Sequence, residues 1–331
     1  MHIFVAGATG TLGLPLVREL VARGHTVTGL TRSPHKRALL EALGAQAVVA
    51  DALDAPGLER AVRAAAPTHV VHMLTALPMR GPLREQDLVA TNWLRVQGTA
   101  NLLRAAIAAG AQRIVGESFI YVYGYGDHGT RLLAEDDLPP IRERNAGLRA
   151  TVEALRSLEQ QLLDADHQGL IETVVLRYGL TYGPGNASTR AMVELLRRRR
   201  LPLVRGARGI AALVHNDDAA AATIAALERG RPGAIYNIVD DEPVAFNTYI
   251  AALAEAAGAL RPLVAPRWLL RLFAPAAVES TMTRLPLSNA RAREELAWQP
   301  RFPTYREGMR QMAQWLQAQE PVTSTLARSS R

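Results

Sequence analysis

The sequence predicts an α/β fold in which helices cover both faces of a doubly wound parallel sheet and a smaller lobe follows. Over the first 177 residues, short apolar segments rich in β-branched residues alternate with helical segments rich in alanine and leucine. From Gly179 onward this alternation loosens, and proline and glycine become denser. A chain of 331 residues is long enough for one large domain with a smaller lobe. Strands that alternate with helices along a chain are typical of a parallel sheet.

Each predicted element follows from the periodicity of its apolar residues. The predicted strands are short apolar segments: Ile3–Ala6, Thr26–Thr31, Ala47–Ala50, His69–Met73, Arg113–Glu117 and Thr173–Arg177. The predicted helices have apolar residues at helical spacing: 14–23, 35–43, 56–65, 87–109 and 150–166. We expect the chain to return to the sheet near Ala212–Asn216 and Ala234–Val239. These elements predict a first domain of residues 1–176 plus 209–238, a second lobe of residues 177–208 plus 239–318, and a flexible tail of residues 319–331.

The first strand leads directly into a glycine turn and then into a helix. Gly7, Gly10 and Gly13 lie between these two elements. This arrangement brings backbone N–H groups and the positive end of a helix against a pyrophosphate. A βα turn that simply requires small residues is the alternative. The turn predicts a Rossmann-type dinucleotide-binding domain, with six residues near the cofactor: Gly7, Thr9, Gly10, Thr11, Leu12 and Gly13.

The end of the second strand indicates which dinucleotide is bound. A site for NAD has an acidic residue there, which accepts from the 2′-hydroxyl group of the ribose. This chain has Arg32 and Ser33 instead, with Lys36 and Arg37 just beyond. The planar guanidinium of Arg32 suits a 2′-phosphate, so we expect NADP(H) to be preferred over NAD(H). A solvent-facing Arg32, or one stacked on the adenine, is the alternative.

An aspartate follows the third strand in the segment Ala50-Asp-Ala-Leu53. Asp51, with Ala52 beside it, lies where a side chain would accept a hydrogen bond from the adenine amino group. A cap for the helix that begins after Ala55 is an equally good interpretation of Asp51. We include Asp51 and Ala52 among the candidate cofactor-binding residues.

Composition argues against several other classes of protein. The chain has no cysteine, and its eight histidines lack zinc-ligand spacing, so we expect no metal. The basic run Arg197–Arg200 has no interleaved aromatic residues, so we expect no nucleic-acid partner despite a net charge of +7. No segment is apolar over ~18 residues, and no charged leader with a cleavage site begins the chain. We therefore expect a cytoplasmic protein without a membrane partner.

Several motifs, in their order along the chain, resemble one family up to about Met312. They are Val70-Val-His72, Gly98-Thr-Ala-Asn-Leu-Leu103, Leu176-Arg-Tyr-Gly-Leu-Thr-Tyr-Gly-Pro184, Val214-His-Asn-Asp-Asp218 and Tyr236-Asn-Ile-Val-Asp-Asp241. With the glycine turn, they make the chain resemble the extended short-chain dehydrogenase/reductases, the NAD-dependent epimerase/dehydratase group. The resemblance implies that Leu74 and Thr75 line the cofactor and that the segment with Tyr178 passes the nicotinamide. It also implies a homodimer through helices 87–109 and 150–166, where four side chains favour an apolar interface: Val152, Leu155, Leu158 and Leu162.

The proton-transfer pair of that family has no counterpart in this sequence. Family members carry Tyr-x-x-x-Lys on one helix face, where the lysine lowers the pKa of the tyrosine. Lys36 is the only lysine of this chain, and the family pattern aligns Thr151 and Leu155 with the tyrosine and the lysine. Phe119 stands where the family has a serine or threonine, unless a bulge brings Ser118 into that position.

Other side chains are then expected to do the chemistry. Arg95 replaces an asparagine of the family pattern, for which Asn92, three residues earlier, is a substitute. A buried Glu117 would have a raised pKa suited to acid–base work, or it would pair with an arginine such as Arg113 or Arg177. The candidate catalytic residues are those expected near the nicotinamide with an acidic or hydroxyl group: Ser118, Tyr121, Glu117 and Tyr178.

Three functions fit a chain that keeps the dinucleotide site and lacks the usual acid and base. The first is an enzyme with a relocated acid or base. The second is an enzyme whose hydride transfer needs no strong acid from the protein. The third is a redox-silent binder of NADP(H), as in NmrA-like proteins. We expect an NADP(H)-dependent reductase of a small-molecule carbonyl, imine or activated alkene in a biosynthetic pathway. A sugar-nucleotide epimerase or dehydratase with a relocated acid and base is a further alternative.

Overall fold

A computed structural model describes residues 1–79 and 81–319 of the chain. The strands, in chain order, are β1 His2–Ala6, β2 Thr26–Thr31, β3 Gln46–Val49, β4 His69–His72, β5 Arg113–Phe119, β6 Glu172–Tyr178, β7 Leu180–Tyr182, β8 Leu203–Val204, β9 Ile210–Ala211, β10 Leu213–His215, β11 Ala234–Ile238, β12 Val244–Ala245 and β13 Val264–Ala265. The α-helices are α1 Gly13–Ala22, α2 Arg37–Glu41, α3 Ala55–Ala65, α4 Val89–Trp93, α5 Thr99–Ala108, α6 Ala146–His167, α7 Ala187–Arg197, α8 Asn216–Arg229, α9 Phe246–Ala256, α10 Arg267–Phe273, α11 Pro275–Met282, α12 Ala290–Glu295 and α13 Tyr305–Gln319. A π-helical turn, Leu94–Gly98, joins α4 to α5. Shorter 3₁₀ turns span Pro34–Lys36, Glu85–Leu88 and Ile120–Tyr123.

Seven strands form one sheet in the order β11-β6-β5-β4-β1-β2-β3. All neighbouring strands in this sheet run parallel. The predicted Rossmann-type doubly wound sheet is therefore confirmed. The strand order reverses direction at β1, whose neighbours are β2 and β4. Open sheets of this kind bind ligands in the crevice at the carboxyl ends of the strands where the order reverses.

Each face of the sheet packs against its own helices, because successive side chains of a strand point to opposite faces. Val115 of β5 lies in one apolar core with Ile224 of α8. Its neighbour Ile114 lies in the other core, with Leu102 of α5 and Leu158 of α6. Side chains of β5 with odd numbers therefore face α8, and those with even numbers face α5 and α6.

Three helices begin where an Asp or Asn side chain caps the first turn. Asp54 accepts from the N–H of Gly57 at the start of α3. Asn145 begins α6 and Asn186 begins α7 in the same way. Such caps satisfy N–H groups that have no partner inside the helix. Helix α1, in contrast, begins without a side-chain cap.

The predicted return of the chain to the sheet near Ala212–Asn216 is wrong. Strand β10 pairs with β7 in a separate two-stranded sheet, and β11 is the strand that joins β6. The physical reason is that β11 occupies the free edge of β6 up to the pair Ile238–Tyr178. Strand β10 is left to pair with β7, which follows β6 after Gly179. The return at Ala234–Val239 is confirmed.

The second half of the chain builds a further apolar core. Side chains of α7, α9 and α13 meet there, including Val193, Leu253 and Met312. This core is consistent with the predicted second lobe, although the domain boundaries themselves stay a prediction. The predicted flexible tail, apart from residue 319, lies outside the described residues.

Helix α6 does not present the apolar surface that the predicted dimer was expected to use. Four apolar side chains of α6 are fully buried in the cores of the same chain: Val152, Leu155, Leu158 and Leu162. The reason is that the apolar stripe of α6 faces the sheet. Exposed apolar side chains instead lie on α4 and the π-helical turn, at Val89, Trp93 and Val96.

A buried ion pair joins α6 to the sheet. The guanidinium of Arg177 on β6 donates to both carboxylate oxygens of Glu159 on α6, at 2.9 and 2.8 Å. Their side chains are only 2% and 5% exposed. Arg177 also donates to the hydroxyl oxygen of Tyr123 at 3.0 Å and to the carbonyl of Glu135 at 2.8 Å. Every charge in this network therefore has a partner.

We predict that Arg177→Met lowers the free energy of unfolding by roughly 3–5 kcal/mol, because it leaves the Glu159 carboxylate buried without its cation. Urea denaturation followed by circular dichroism measures this change. Arg37→Met is the control, since the Arg37–Glu41 pair is 60% and 49% exposed. The control should cost under about 0.5 kcal/mol. Equal costs for the two substitutions would contradict the structural role of the buried pair.

Candidate dinucleotide and active site

The glycine turn between β1 and α1 brings backbone atoms closer together than a side chain would allow. Gly7 has a φ of +95°, and a Cβ there would lie 2.1 Å from the carbonyl oxygen of Met73. A Cβ on Gly13 would lie 2.2 Å from the carbonyl oxygen of Gly7. The turn therefore requires glycine at both positions, as the sequence predicts for a tight βα junction.

Backbone N–H groups at this turn are free to receive an anion. The N–H of Gly10 donates to the carbonyl of Gly7 at 2.9 Å, and that of Leu14 donates to the carbonyl of Gly10. Within residues 1–79 and 81–319, the N–H groups of Thr11 and Leu12 have no acceptor. With an uncapped helix behind them, these groups fit the diphosphate of a dinucleotide.

A free cation lies at the end of β2. The Arg32 side chain is exposed and has no hydrogen-bond or ion-pair partner among the described residues. Its neighbour Ser33 donates its N–H to the hydroxyl oxygen of Thr31 at 3.2 Å, which fixes the loop. Arg37, in contrast, is held by Glu41 at 2.8 Å. Arg32 is therefore available to a phosphate in a way that Arg37 is not.

The loop after β3 leaves Asp51 without a capping role. Its carboxylate accepts from the N–H of Leu53 at 2.9 Å, while Asp54 caps α3. The interpretation of Asp51 as the cap of that helix is therefore wrong. Ala52 is buried, and its carbonyl accepts from the side-chain amide of Asn101 at 2.9 Å. This bond fixes the loop against α5.

The loop after β4 is held by a buried histidine. His72 accepts from the N–H of Leu74 at its Nδ1 and lies 2.7 Å from the Thr99 hydroxyl at its Nε2. Burial lowers the pKa of His72 to about 4, so the ring is neutral. Nε2 therefore donates to Thr99, whose hydroxyl donates to the carbonyl of Arg95 at 2.5 Å. Leu74 is half-buried and Thr75 is exposed, beside the carboxyl end of β4.

The two positions on α6 that would hold a Tyr–Lys pair carry buried side chains. Thr151 is 2% exposed. Its hydroxyl donates to the carbonyl of Gly147 and accepts from the side-chain amide of Asn92, both at 3.1 Å. Leu155 is fully buried against the 3₁₀ turn Ile120–Tyr123. Neither side chain offers an acid or a base at that place.

Two of the predicted catalytic hydroxyl groups are engaged inside the protein. Ser118 is fully buried and donates to Glu159 at 2.6 Å, which makes it part of the ion-pair network of α6. The Tyr178 hydroxyl lies 2.7 Å from that of Thr223 on α8, and burial raises its pKa well above the usual range. Since Ser118 has an even number, it points to the face of β5 opposite to that of Glu117.

The other two predicted catalytic residues, Tyr121 and Glu117, lie near a set of three aromatic side chains. Tyr121 stacks on Tyr125 with ring centroids 4.3 Å apart and meets the ring of Phe119 edge-on at 5.3 Å. We call Phe119, Tyr121 and Tyr125 the aromatic trio. Burial raises the pKa of Tyr121 to about 12, although a hydrogen bond with Ser280 opposes this shift. Tyr121 is therefore a neutral phenol at physiological pH.

Glu117 lies near the carboxyl end of β5, on the same face as Phe119. Burial raises the pKa of Glu117 to about 7, and the nearby Arg95 guanidinium limits the increase. Arg95 is 5% exposed and lies on the π-helical turn. Its charge also acts on the Tyr125 phenol. Arg95 replaces an asparagine of the family pattern in the sequence, but it is not among the predicted site residues.

Arg95 is thus within electrostatic range of both Glu117 and Tyr125, which places a titratable carboxyl group and a buried cation near the aromatic trio. The structure brings this group to the carboxyl edge of β5, the edge at which β1 ends in the glycine turn. The hydroxyl groups of Ser118 and Tyr178 are not free at this edge, because each is hydrogen-bonded inside the protein. Proton transfer and binding of an anion are the chemistry that Glu117 and Arg95 make available here.

Comparisons with known proteins identify the class. The sequence profile of the NAD dependent epimerase/dehydratase family matches residues 3–239. The chain belongs to this family, which confirms the resemblance seen in its motifs. It is an oxidoreductase of the extended short-chain dehydrogenase/reductase type, from a family that depends on a nicotinamide dinucleotide.

Particular relatives include named reductases. The 3-diazoavenalumate denitrifying reductase of Streptomyces sp is 38% identical over 312 residues, which cover 93% of this chain and 99% of that one. The 4-hydroxy-2-methyl-3-oxo-4-farnesyl-3,4-dihydroquinoline-1-oxide ketoreductase of Stigmatella aurantiaca is 31% identical over 260 residues, 78% of this chain and 74% of that one. UDP-glucose 4-epimerase of Thermus thermophilus, solved in complex with NAD, superposes with a TM-score of 0.77 at 27% identity, covering 97% of this chain and 100% of that one.

Residues 1–79 and 81–319 contain no group of three or more His, Cys, Asp or Glu side chains placed to hold a metal ion. In the same part of the chain, every helix is too short or too polar to cross a membrane.

We predict that Gly7→Ala weakens binding of the nicotinamide dinucleotide by about tenfold or more, because the new methyl group forces Met73 and the turn apart. Isothermal titration calorimetry with NADP⁺ measures the affinity. Gly24→Ala is the matched control, since Gly24 also has a positive φ of +78° but nothing within 4 Å of its Cβ position. Both variants lose stability, but the control should keep its affinity. If Gly7→Ala also kept its affinity, the turn would not be the diphosphate site.

Proposed function

We propose that the protein is an NADP(H)-dependent reductase that transfers hydride to a small molecule without a Tyr–Lys pair. One observation carries this proposal. The backbone cradle at Gly7–Gly13 is intact, while the two positions of the pair hold Thr151 and Leu155, both buried and packed. Relatives that are named reductases support reduction, rather than oxidation, of the substrate.

The preference for NADP(H) over NAD(H) rests on Arg32. Its guanidinium is exposed at the end of β2, where a 2′-phosphate would lie, and it forms no ion pair with a carboxylate of residues 1–79 and 81–319. Exposed Lys36 adds a second positive charge to the same loop. Asp51 is proposed to accept from the adenine amino group with its remaining carboxylate oxygen, because one oxygen is used by Leu53.

We predict that Arg32→Ala weakens binding of NADPH by about 10–100-fold, the value of charge-assisted hydrogen bonds to a phosphate. Affinity for NADH should change by less than about twofold, since NADH has no 2′-phosphate to lose a partner. Titration of protein fluorescence with each dinucleotide gives both affinities. Arg37→Ala is the control, because Arg37 is already paired with Glu41. Equal weakening of NADPH and NADH binding would contradict the proposed role of Arg32.

The substrate classes that we propose place little demand on a protein acid. An iminium ion accepts hydride without taking up a proton. An activated alkene accepts hydride to give a carbanion, which takes its proton from water or from elsewhere in the substrate. A carbonyl substrate needs a proton on oxygen, which Glu117 with its pKa of about 7 is proposed to supply. Tyr121 is proposed to orient the substrate, and the contacts of Ser118 and Tyr178 favour supporting roles for these two residues.

An aryl diazo compound is the particular substrate class that the 38% identical relative suggests. In its arenediazonium form, hydride adds to the ring carbon that carries nitrogen and forms the new C–H bond. The C–N bond breaks, and its electron pair leaves with dinitrogen. The balance is Ar–N₂⁺ plus NADPH giving Ar–H, N₂ and NADP⁺. No proton enters this step, so a site without the Tyr–Lys pair is sufficient for it.

Two alternatives remain distinct from this proposal. A redox-silent NADP(H) binder would show affinity for the dinucleotide without turnover. A sugar-nucleotide epimerase would need a base to oxidise a secondary alcohol, and Thr151 and Leu155 provide none at the usual place. The similarity to UDP-glucose 4-epimerase structures shows the fold and leaves the chemistry open.

We predict that purified protein with NADPH carrying deuterium at C4 converts an arenediazonium salt to an arene with one deuterium at the carbon that lost nitrogen. Mass spectrometry of the product measures the label, with both C4 epimers of the cofactor tested. The same assay with an activated alkene and a ketone compares the other substrate classes.

Uncatalysed reduction is subtracted with the Gly7→Ala variant, which should bind the cofactor poorly. Binding of NADPH without label transfer to any of these acceptors would contradict the reductase and favour the redox-silent binder.

A homodimer in the cytoplasm stays a prediction. The exposed apolar side chains of Val89, Trp93 and Val96 support an interface on α4 and the π-helical turn. They lie on the helix that the family resemblance implicates, whereas α6 contributes its apolar stripe to its own core.

A further inference from the structure

Arg95 is a buried cation whose hydrogen-bonding capacity is mostly unused. A guanidinium carries five N–H donors in a planar fork. In the part of the chain that the structure describes, one of these donates to the side-chain oxygen of Asn92, at 3.1 Å. The side chain is 5% exposed, and none of its nitrogens is completely enclosed without a partner. The remaining donors therefore keep some accessible surface and are not fully enclosed by protein atoms.

The surroundings of Arg95 hold it firmly in place. Its carbonyl accepts from the hydroxyl of Thr99, which is held in turn by His72. Its side-chain partner Asn92 donates to the hydroxyl of Thr151 on α6. The π-helical turn also displaces Arg95 from the regular helix, and such turns occur frequently at functional sites. A cation fixed on both its main chain and its side chain is preorganised for a ligand.

No carboxylate forms a salt bridge with Arg95 within the described residues. The Glu117 carboxyl group and the Tyr125 phenol both lie within electrostatic range of the Arg95 guanidinium. Burying a guanidinium in this way is costly unless an opposite charge compensates it. Glu117 provides that compensation only when it is ionised, so a bound anion is the alternative partner.

We propose that Arg95 binds an oxyanion carried by an aromatic substrate, whose ring lies against the aromatic trio. This proposal rests on the proposed function only in treating the space beside Glu117 as the substrate site. Aromatic rings prefer offset or edge-on contacts, which Phe119 and the stacked pair Tyr121–Tyr125 offer. A planar guanidinium matches a carboxylate with two parallel hydrogen bonds and also binds a phenolate. Arg95 is therefore a specificity-determining residue for acidic aromatic substrates.

Glu117 makes this binding depend on pH. The charged and titratable groups that face it, in the described residues, are Arg95 on the π-helical turn and Tyr178 on β6. Tyr178 is neutral at physiological pH, so Arg95 is the group whose charge interacts with Glu117. Below pH 7 the protonated Glu117 leaves the charge of Arg95 to the ligand. Above pH 7 the ionised Glu117 compensates Arg95 and repels an anion, so affinity should fall by up to about tenfold for each pH unit.

The test compares pairs of aromatic probes that differ in charge. Cinnamate and cinnamamide form one pair, and 2,4-dinitrophenolate and 2,4-dinitroanisole form the other, so that the two pairs distinguish a carboxylate from a phenolate. Calorimetry with the full chain, with and without saturating NADP⁺, gives the affinities from pH 6 to pH 9. Wild-type protein should bind at least one anion about tenfold more tightly than its neutral analogue.

Variants separate a role in recognition from a role in folding. Arg95→Met should reduce the ratio of affinities to about one while binding of the neutral analogue stays unchanged, and Arg95→Lys should restore part of the ratio. Glu117→Gln should abolish the decrease in anion affinity above pH 7. Thermal denaturation and NADP⁺ affinity monitor folding of each variant.

An unchanged ratio in Arg95→Met, or no preference for either anion in the wild type, would overturn the proposal. Loss of NADP⁺ affinity in Arg95→Met with an unchanged ratio would assign Arg95 to the cofactor instead. Because these titrations require no hydride transfer, they are independent of the labelling experiment. Anion selectivity without label transfer would refute the reductase and leave the oxyanion site in place.

Discussion

The buried ion pair between Arg177 and Glu159 determines where helix α6 lies on the sheet. Two opposite charges in a core are stable only when they remain together, so the pair fixes α6 against β5 and β6. Glu159 lies four residues after Leu155 and eight after Thr151, which places all three on one helix face. The ion pair therefore helps to fix the position of the helix face that carries Thr151 and Leu155 in this protein.

The chemistry available at the carboxyl edge depends on the side chains that this helix face carries. Thr151 is tied to Gly147 and Asn92, and Leu155 fills an apolar core. Near the carboxyl end of β5, Glu117 and Arg95 provide a carboxyl group and a cation, and they lie on the strand and on the π-helical turn rather than on α6. A site built in this way supplies positive charge and a carboxyl group, while the cofactor supplies the hydride when it is bound.

Local patterns in the sequence predicted most of the sheet, because each strand of a parallel sheet carries its own apolar run and each glycine of the turn has a local cause. The pairing of β10 with β7 was not predictable in this way, since it depends on β11 having taken the edge of β6. Ser118 was expected near the nicotinamide, but its partner Glu159 is 41 residues away and no local pattern reveals that contact. Arg95 was visible as a departure from the family pattern, yet its burial and its unused donors depend on the tertiary structure.

A crystal structure of the complex with NADP⁺ would show directly whether the cofactor and these side chains meet in this way. We expect the diphosphate on the N–H groups of Thr11 and Leu12, and the 2′-phosphate on Arg32. We also expect the nicotinamide C4 to face the space beside Glu117, with the Thr151 hydroxyl still bonded to Gly147. A complex in which another acid or base lies against C4 would contradict the account, as would a dinucleotide bound away from the glycine turn.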